Sequence, residues 1–151
     1  MSETETTNRE LISFRVGEQE YGVDITEVRE IRGWTPATPL PRTPPYVRGV
    51  INLRGAVLPI VDMAARMGFP AHEPSKRSVI IVCWIRGQTV GLLVDAVCDI
   101  LAVEPQSLQP TPDLVGEDAH GFVEAILSVE ERMIGLVRLG ALMPAEELAA
   151  A

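Results

Sequence analysis

A ten-residue phrase occurs twice in this chain, and that recurrence limits the fold more than any other feature. Gly22-Val23-Asp24-Ile25-Thr26-Glu27-Val28-Arg29-Glu30-Ile31 returns as Gly91-Leu92-Leu93-Val94-Asp95-Ala96-Val97-Cys98-Asp99-Ile100. In register, Gly22 meets Gly91, Val28 meets Val97, Glu30 meets Asp99 and Ile31 meets Ile100. An apolar strand ending at a glycine precedes each copy, Phe14-Arg15-Val16-Gly17 before the first and Ile85-Arg86-Gly87 before the second. A Pro-rich loop, a glycine (Gly49, Gly121) and two apolar runs follow each. Internal repetition decides between architectures before any local signal does. Two copies rather than many predict a pair of related small barrels with a pseudo-symmetric groove between them, not a solenoid.

The strand signals agree. Leu11–Val16 and Tyr21–Ile25 read as a hairpin across Gly17–Glu20, and Val47–Leu53 returns through Arg54-Gly55 as Ala56–Asp62. Pro59 marks an edge or a bulge in that second run. Asp24–Ile31 is ambiguous, although the apolar spacing of Ile25, Val28 and Ile31 suits one short helical turn. Prolines 36, 39, 41, 44 and 45 make Trp34–Pro45 an extended loop. Asp62 is placed to cap a short helix that Gly68 ends. Ser78–Ile85 is apolar without a break, so it is expected to be buried on both faces or shared between lobes. It turns through Arg86–Thr89 into Val90–Val94. Leu101–Gly121 reads as a second long loop, and Phe122–Ser128 with Met133–Leu139 as the closing hairpin. The fold class is therefore all-β, two five-stranded barrels of SH3-like type side by side with one or two short helices. Residues 1–10 form a flexible tail, about 11–75 the first barrel and about 76–140 the second, with strands open to exchange between them. Residues 141–151 form a helical tail, with Pro144 in its first turn.

Charge and composition narrow the function. A net charge of −8 opposes nucleic acid and anionic membrane as partners, since both call for a basic face. No segment reaches the roughly 18 apolar residues of a membrane span, and the polar amino terminus lacks a signal-peptide core. A cytoplasmic location follows. Cys83 and Cys98 lie in apolar runs and read as two buried small hydrophobes. With His72 and His120 they lack the paired spacing of a zinc site, so no metal or other cofactor is expected. Both histidines fall in loops and are expected to be solvent-exposed.

Catalytic constellations are missing as well. No Gly-rich loop leads into a helix, and no Ser or Cys has histidine support. No catalytic residue is assigned, and a binding role remains. Within Asn52-Leu53-Arg54-Gly55, Arg54 is either a solvated turn residue or reaches across the barrel to Glu30, the acid that follows the segment under this hairpin.

The motifs Tyr21–Ile25, Val28–Gly33, Arg48–Gly55, Pro59–Asp62 and Gly91–Leu101, in this order, resemble the CheW family of chemotaxis coupling proteins over about residues 10–145. The resemblance implies two five-stranded SH3-like barrels without catalysis. It implies an adaptor between the cytoplasmic tip of methyl-accepting chemoreceptors and the regulatory domain of the histidine kinase CheA, at receptor arrays on the inner face of the membrane. A monomer or weak self-association goes with it. The family's receptor-binding positions fall here on Val28, Glu30, Gly49, Arg54, Val97 and Ile100. Its kinase contacts use barrel faces that cannot be carried over residue by residue. The competing expectation, from another class, is a stand-alone β-barrel sensor for a small ligand. Such a pocket needs inward polar groups and aromatics, and aromatics are only 5% of this chain.

Overall fold

Two-residue turns build most of the molecule, whose computed structural model describes residues 9–70, 73–110 and 121–142. β1 (Arg9–Val16) turns at Gly17-Glu18 into β2 (Gln19–Asp24), and β4 (Val47–Leu53) turns at Arg54-Gly55 into β5 (Ala56–Asp62). β6 (Val79–Ile85) turns at Arg86-Gly87 into β7 (Gln88–Val94), and β10 (Val123–Val129) at Glu130-Glu131 into β11 (Arg132–Val137). The turns at Arg54-Gly55 and Arg86-Gly87 have positive φ at both residues, the geometry that matches the right-handed twist of the strands. β3 (Val28–Gly33), β8 (Ala96–Val103), the two-residue β9 (Leu108–Gln109) and the helix α1 (Met63–Arg66) complete the set. Asp62 caps α1, its Oδ1 accepting from the Ala65 amide at 3.3 Å.

The sheets do not follow the halves of the chain. One runs β3-β6-β7-β5-β4 and the other β8-β1-β2-β11-β10-β9. Each therefore holds a hairpin from one copy of the repeat between strands of the other. The exchange is pseudo-symmetric in detail. Val28 and Ile31 lie opposite Cys83 and Ile81, as Val97 and Ile100 lie opposite Phe14 and Ile12, with a bulge at the same place in each ladder. The two parallel pairings among the described residues are also equivalent, β5 with β7 (Ile60 opposite Gly91) and β11 with β2 (Leu136 opposite Gly22).

Each sheet rolls up. β3 and β4 are the outermost strands of the five-stranded sheet, yet Arg54, in the β4–β5 turn, forms an ion pair with Glu30 on β3. The enclosed core is small: Ile51, Leu58, Ile60, Ile80, Val82 and Leu93. The other barrel closes over Leu11, Val103, Leu127, Ile134 and Leu136. The repeated glycines face these interiors. A Cβ on Gly91 would come within 2.8 Å of both Ile60 Cδ1 and Ile80 Cγ2, which accounts for glycine there. The largest core lies between the barrels and takes the opposite faces of the same strands: Ile12, Phe14 and Val16 from β1, and Ile81, Cys83 and Ile85 from β6. β6 is thus buried on both faces, as an unbroken apolar run requires. Each fully buried Leu, Ile or Phe in this layer contributes on the order of 2 kcal/mol, so the layer binds two barrels too small to stand alone. Arg66 adds a clamp between the halves. Its guanidinium lies 4.4 Å from the Tyr46 ring and 4.6 Å from the Phe122 ring and donates to the carbonyls of Ala141 and Leu142.

Several local expectations are corrected. Only Ile25–Glu27 is helical; Val28–Ile31 belongs to β3, because pairing with β6 outweighs a three-residue spacing. Asp24 caps that turn by accepting from the Thr26 amide at 3.0 Å, whereas its mate Leu93 has no acceptor and the second copy stays extended. Leu101–Val103 is strand rather than loop, because β8 continues along β1 as far as Val103 opposite Arg9. Pro59 lies in an interior strand. The parallel partner starts only at Ile60, so the donor that Pro59 lacks is not needed. Cys98 is exposed on β8, while Cys83 is buried. The mate of Gly17 is Arg86 and not Gly87, since each opens a two-residue turn. His72, His120 and nearly all of the expected helical tail lie outside the described residues. No helix among the described residues is long and apolar enough to cross a membrane.

Candidate functional site

The strand register sorts the expected site residues onto different faces. Val28 and Val97, opposite Cys83 and Phe14, point toward the layer between the barrels and pack against its core while half-buried. One turn of the ladder further on, Ile31 and Ile100 point the same way and are 44% and 61% exposed. The molecule thus carries two equivalent apolar edges, one per barrel, each grading from a seated valine to an exposed isoleucine.

Glu30 points the other way, opposite Val82, to the mouth of the five-stranded barrel. Arg54 donates to its Oε1, and Arg32 Nη1 donates to its Oε2 at 3.1 Å. Those hydrogen bonds, Arg54's above all, hold the Glu30 carboxyl below the usual carboxylate range. Arg54 therefore reaches across the barrel rather than standing alone in solvent. Together Glu30, Arg54, Arg29, Leu53, Val57 and Trp84 frame an open groove of about 440 Å³. The Arg29 guanidinium lies 5.2 Å from the centre of the Trp84 ring. Val57 is 71% exposed and Trp84 45%, so this mouth presents a substantial apolar surface.

The mouth of the other barrel carries more charge. Arg15 stands where Trp84 stands, and Asp99 where Glu30 stands. Arg132 grips Glu20 with two hydrogen bonds and lies 3.3 Å from Asp99. Hydrogen bonding by Arg132 lowers the Glu20 carboxyl below its ordinary range. Ser13, buried where the first barrel has Val82, receives the Asp99 amide at 3.1 Å. Both mouths carry an acid–arginine pair, but the arginines are not mates, since Arg132 corresponds to Ala56 and Arg54 to Glu130. Arg15 replaces the exposed Trp84, while Met133, the mate of Val57, is 63% exposed.

Gly49 is not on a surface. It is buried under the Pro-rich loop, where Thr38 and Val50 exchange backbone hydrogen bonds of 2.8 and 2.9 Å. Its φ is +140°, and a Cβ would lie 2.1 Å from Thr38 O. Its place in the site is to let the loop close over β4.

Nothing in the sequence pattern marks Trp84, Val57, Arg29 or Arg32 as site residues. An unbroken apolar run hides which of its members faces solvent. The signal that could have exposed Trp84 is its alternation with Val82 and Ile80 at the end of a rolled strand. Chemically, the site offers apolar edges and fixed ion pairs. Burial pushes the Cys83 thiol up to about 12, which leaves it unreactive. No cluster of three or more His, Cys, Asp or Glu that could hold a metal occurs among the described residues.

Fold and site define an all-β double-barrel module whose distinctive features are two exposed apolar edges and a groove framed by an ion pair. Comparison with known proteins agrees. A model of the CheW-like domain matches residues 10–147. The chemotaxis protein CheW of Rhizobium meliloti is 59% identical over 143 residues, covering 95% of this chain and 92% of that one. The chemotaxis protein CheW of Klebsiella aerogenes is 34% identical over 145 residues, covering 96% and 87%. Among solved structures, the scaffolding protein TtCheW from Thermoanaerobacter tengcongensis superposes with a TM-score of 0.86 at 34% identity, covering 93% of this chain and 95% of that one. The chain belongs to the CheW-like family, and its role is that of a chemotaxis scaffold or adaptor.

Proposed function

We propose that this chain couples the cytoplasmic tips of methyl-accepting chemoreceptors to the histidine kinase CheA, without catalysis of its own, at receptor arrays on the inner face of the membrane. The observation that carries the reading is the pair of apolar edges, Val28 with Ile31 and Val97 with Ile100, flanking one shared core. A receptor tip is a helical hairpin, and a two-helix ligand meets two equivalent edges naturally. Val28, Val97 and Ile100 supply apolar contact. Glu30 and Arg54 set the shape of the wall beside Ile31. Gly49 acts through the loop it admits rather than by touching the partner. The regulatory domain of the kinase binds a barrel face elsewhere.

A double-mutant cycle tests the paired role of Glu30 and Arg54. Arg54→Ala and Glu30→Ala should each weaken receptor or kinase affinity, and the double variant should lose little more than either single one. Losses that simply add would show that the two side chains make separate contacts.

A further inference from the structure

A second groove, about 390 Å³, lies between the β1–β2 turn and the segment after β5, and shares no lining residue with the Glu30 groove. Val16, Gly17, Glu18, Ala64, Phe69 and Pro70 line it. The repeat shows what belongs there. Gly17 is the mate of Arg86, the first residue of the equivalent turn. Counting on from Ile60 and Leu136, which lie opposite the mates Gly91 and Gly22, Ala64 is the mate of Gly140. In the second copy Arg86 lies across this place, its Nε donating to the Gly140 carbonyl at 3.1 Å. In the first copy a glycine stands at the arginine's position and the groove is open. We propose that this groove takes an arginine side chain from a protein partner, in the place that Arg86 fills from within on the equivalent side.

The lining suits that occupant. Phe69 offers a ring on which a guanidinium stacks, and Val16, Ala64 and Pro70 offer aliphatic surface for the stem. Glu18 is the ionisable side chain among the lining residues, and the Asp95 carboxylate stands behind the turn, accepting from the Gly17 amide at 2.7 Å. Both charges are negative, in a chain of net charge −8. The site is independent of the receptor edges and of the Glu30 groove.

The test is an NMR titration of the whole chain with N-acetyl-arginine amide, and with the uncharged N-acetyl-citrulline amide as control. The arginine derivative should shift the amides of Gly17, Glu18, Ala64 and Phe69 saturably, and citrulline should not. Glu18→Gln should weaken the effect by about threefold, as expected for one exposed charge contact. Gly17→Arg should abolish it by filling the groove. That variant should fold, because Arg86 already holds φ +52° where Gly17 holds +63°. Equal shifts with citrulline, undiminished binding in Gly17→Arg, or no saturable shift at these amides would overturn the assignment.

Discussion

Replacing Gly49 by alanine separates a backbone role from a contact role. The new Cβ would lie 2.1 Å from Thr38 O, 2.5 Å from Thr38 C and 2.9 Å from Pro39 Cα, all backbone atoms with no rotamer to change. The φ of +140° adds strain of about 1–3 kcal/mol for any residue with a Cβ. Relief requires the loop to lift from β4. That breaks both hydrogen bonds between Thr38 and Val50, at roughly 1 kcal/mol each. It also loosens Trp34 and Ala37, which the same loop packs against the small barrel core. The sum is on the order of 3–5 kcal/mol, a fall in melting temperature of roughly 10 °C for a chain of this size. Gly55→Ala is the control. Its φ is +89° but nothing lies within 4 Å of its Cβ, so only the strain of a left-handed turn, about 1 kcal/mol, remains. Thermal unfolding followed by circular dichroism reads both variants. If Gly49→Ala melts no lower than Gly55→Ala, the close approach of the loop does not constrain this position. Gly49 would then have to act by direct contact with a partner.

Two further outcomes follow from burial and charge. Val28→Asp puts an unpaired carboxylate against the core between the barrels and should cost about 2 kcal/mol, whereas Ile100→Asp should change stability by less than about 0.5 kcal/mol yet weaken receptor binding; chemical unfolding curves of the two variants check the contrast. Glu20, whose carboxyl is lowered by Arg132, contributes stability above the ordinary carboxylate range and loses it as pH falls through its own depressed value, so Glu20→Gln should be less stable than the parent by roughly 1 kcal/mol at neutral pH and equal to it in strong acid.

The legible part of the fold was what the repeat carries. Equivalent glycines, apolar alternation and turn residues determine the strands, and Val47–Leu53 and Ala56–Asp62 stand as read. The partition of strands between sheets was not readable, because both copies present the same apolar faces and either could pair with either. The extension of β8 to Val103 depends on its ladder with β1, a long-range contact that local composition does not reveal. In the site, the Glu30–Arg54 pair could be inferred from two charges near one barrel mouth. The burial of Gly49 and the exposure of Trp84 and Cys98 could not. Each depends on which way a strand faces once its sheet has rolled.

The most direct test of the adaptor account is co-sedimentation of CheA with chemoreceptors held in membranes. Added wild-type protein should bring the kinase down with the receptors, and Ile100→Asp, folded to the same melting temperature, should fail to do so. Recruitment of the kinase to the same extent by Ile100→Asp, or no recruitment by the wild-type chain, would contradict the claim that the chain couples receptor to kinase by docking the receptor on these apolar edges.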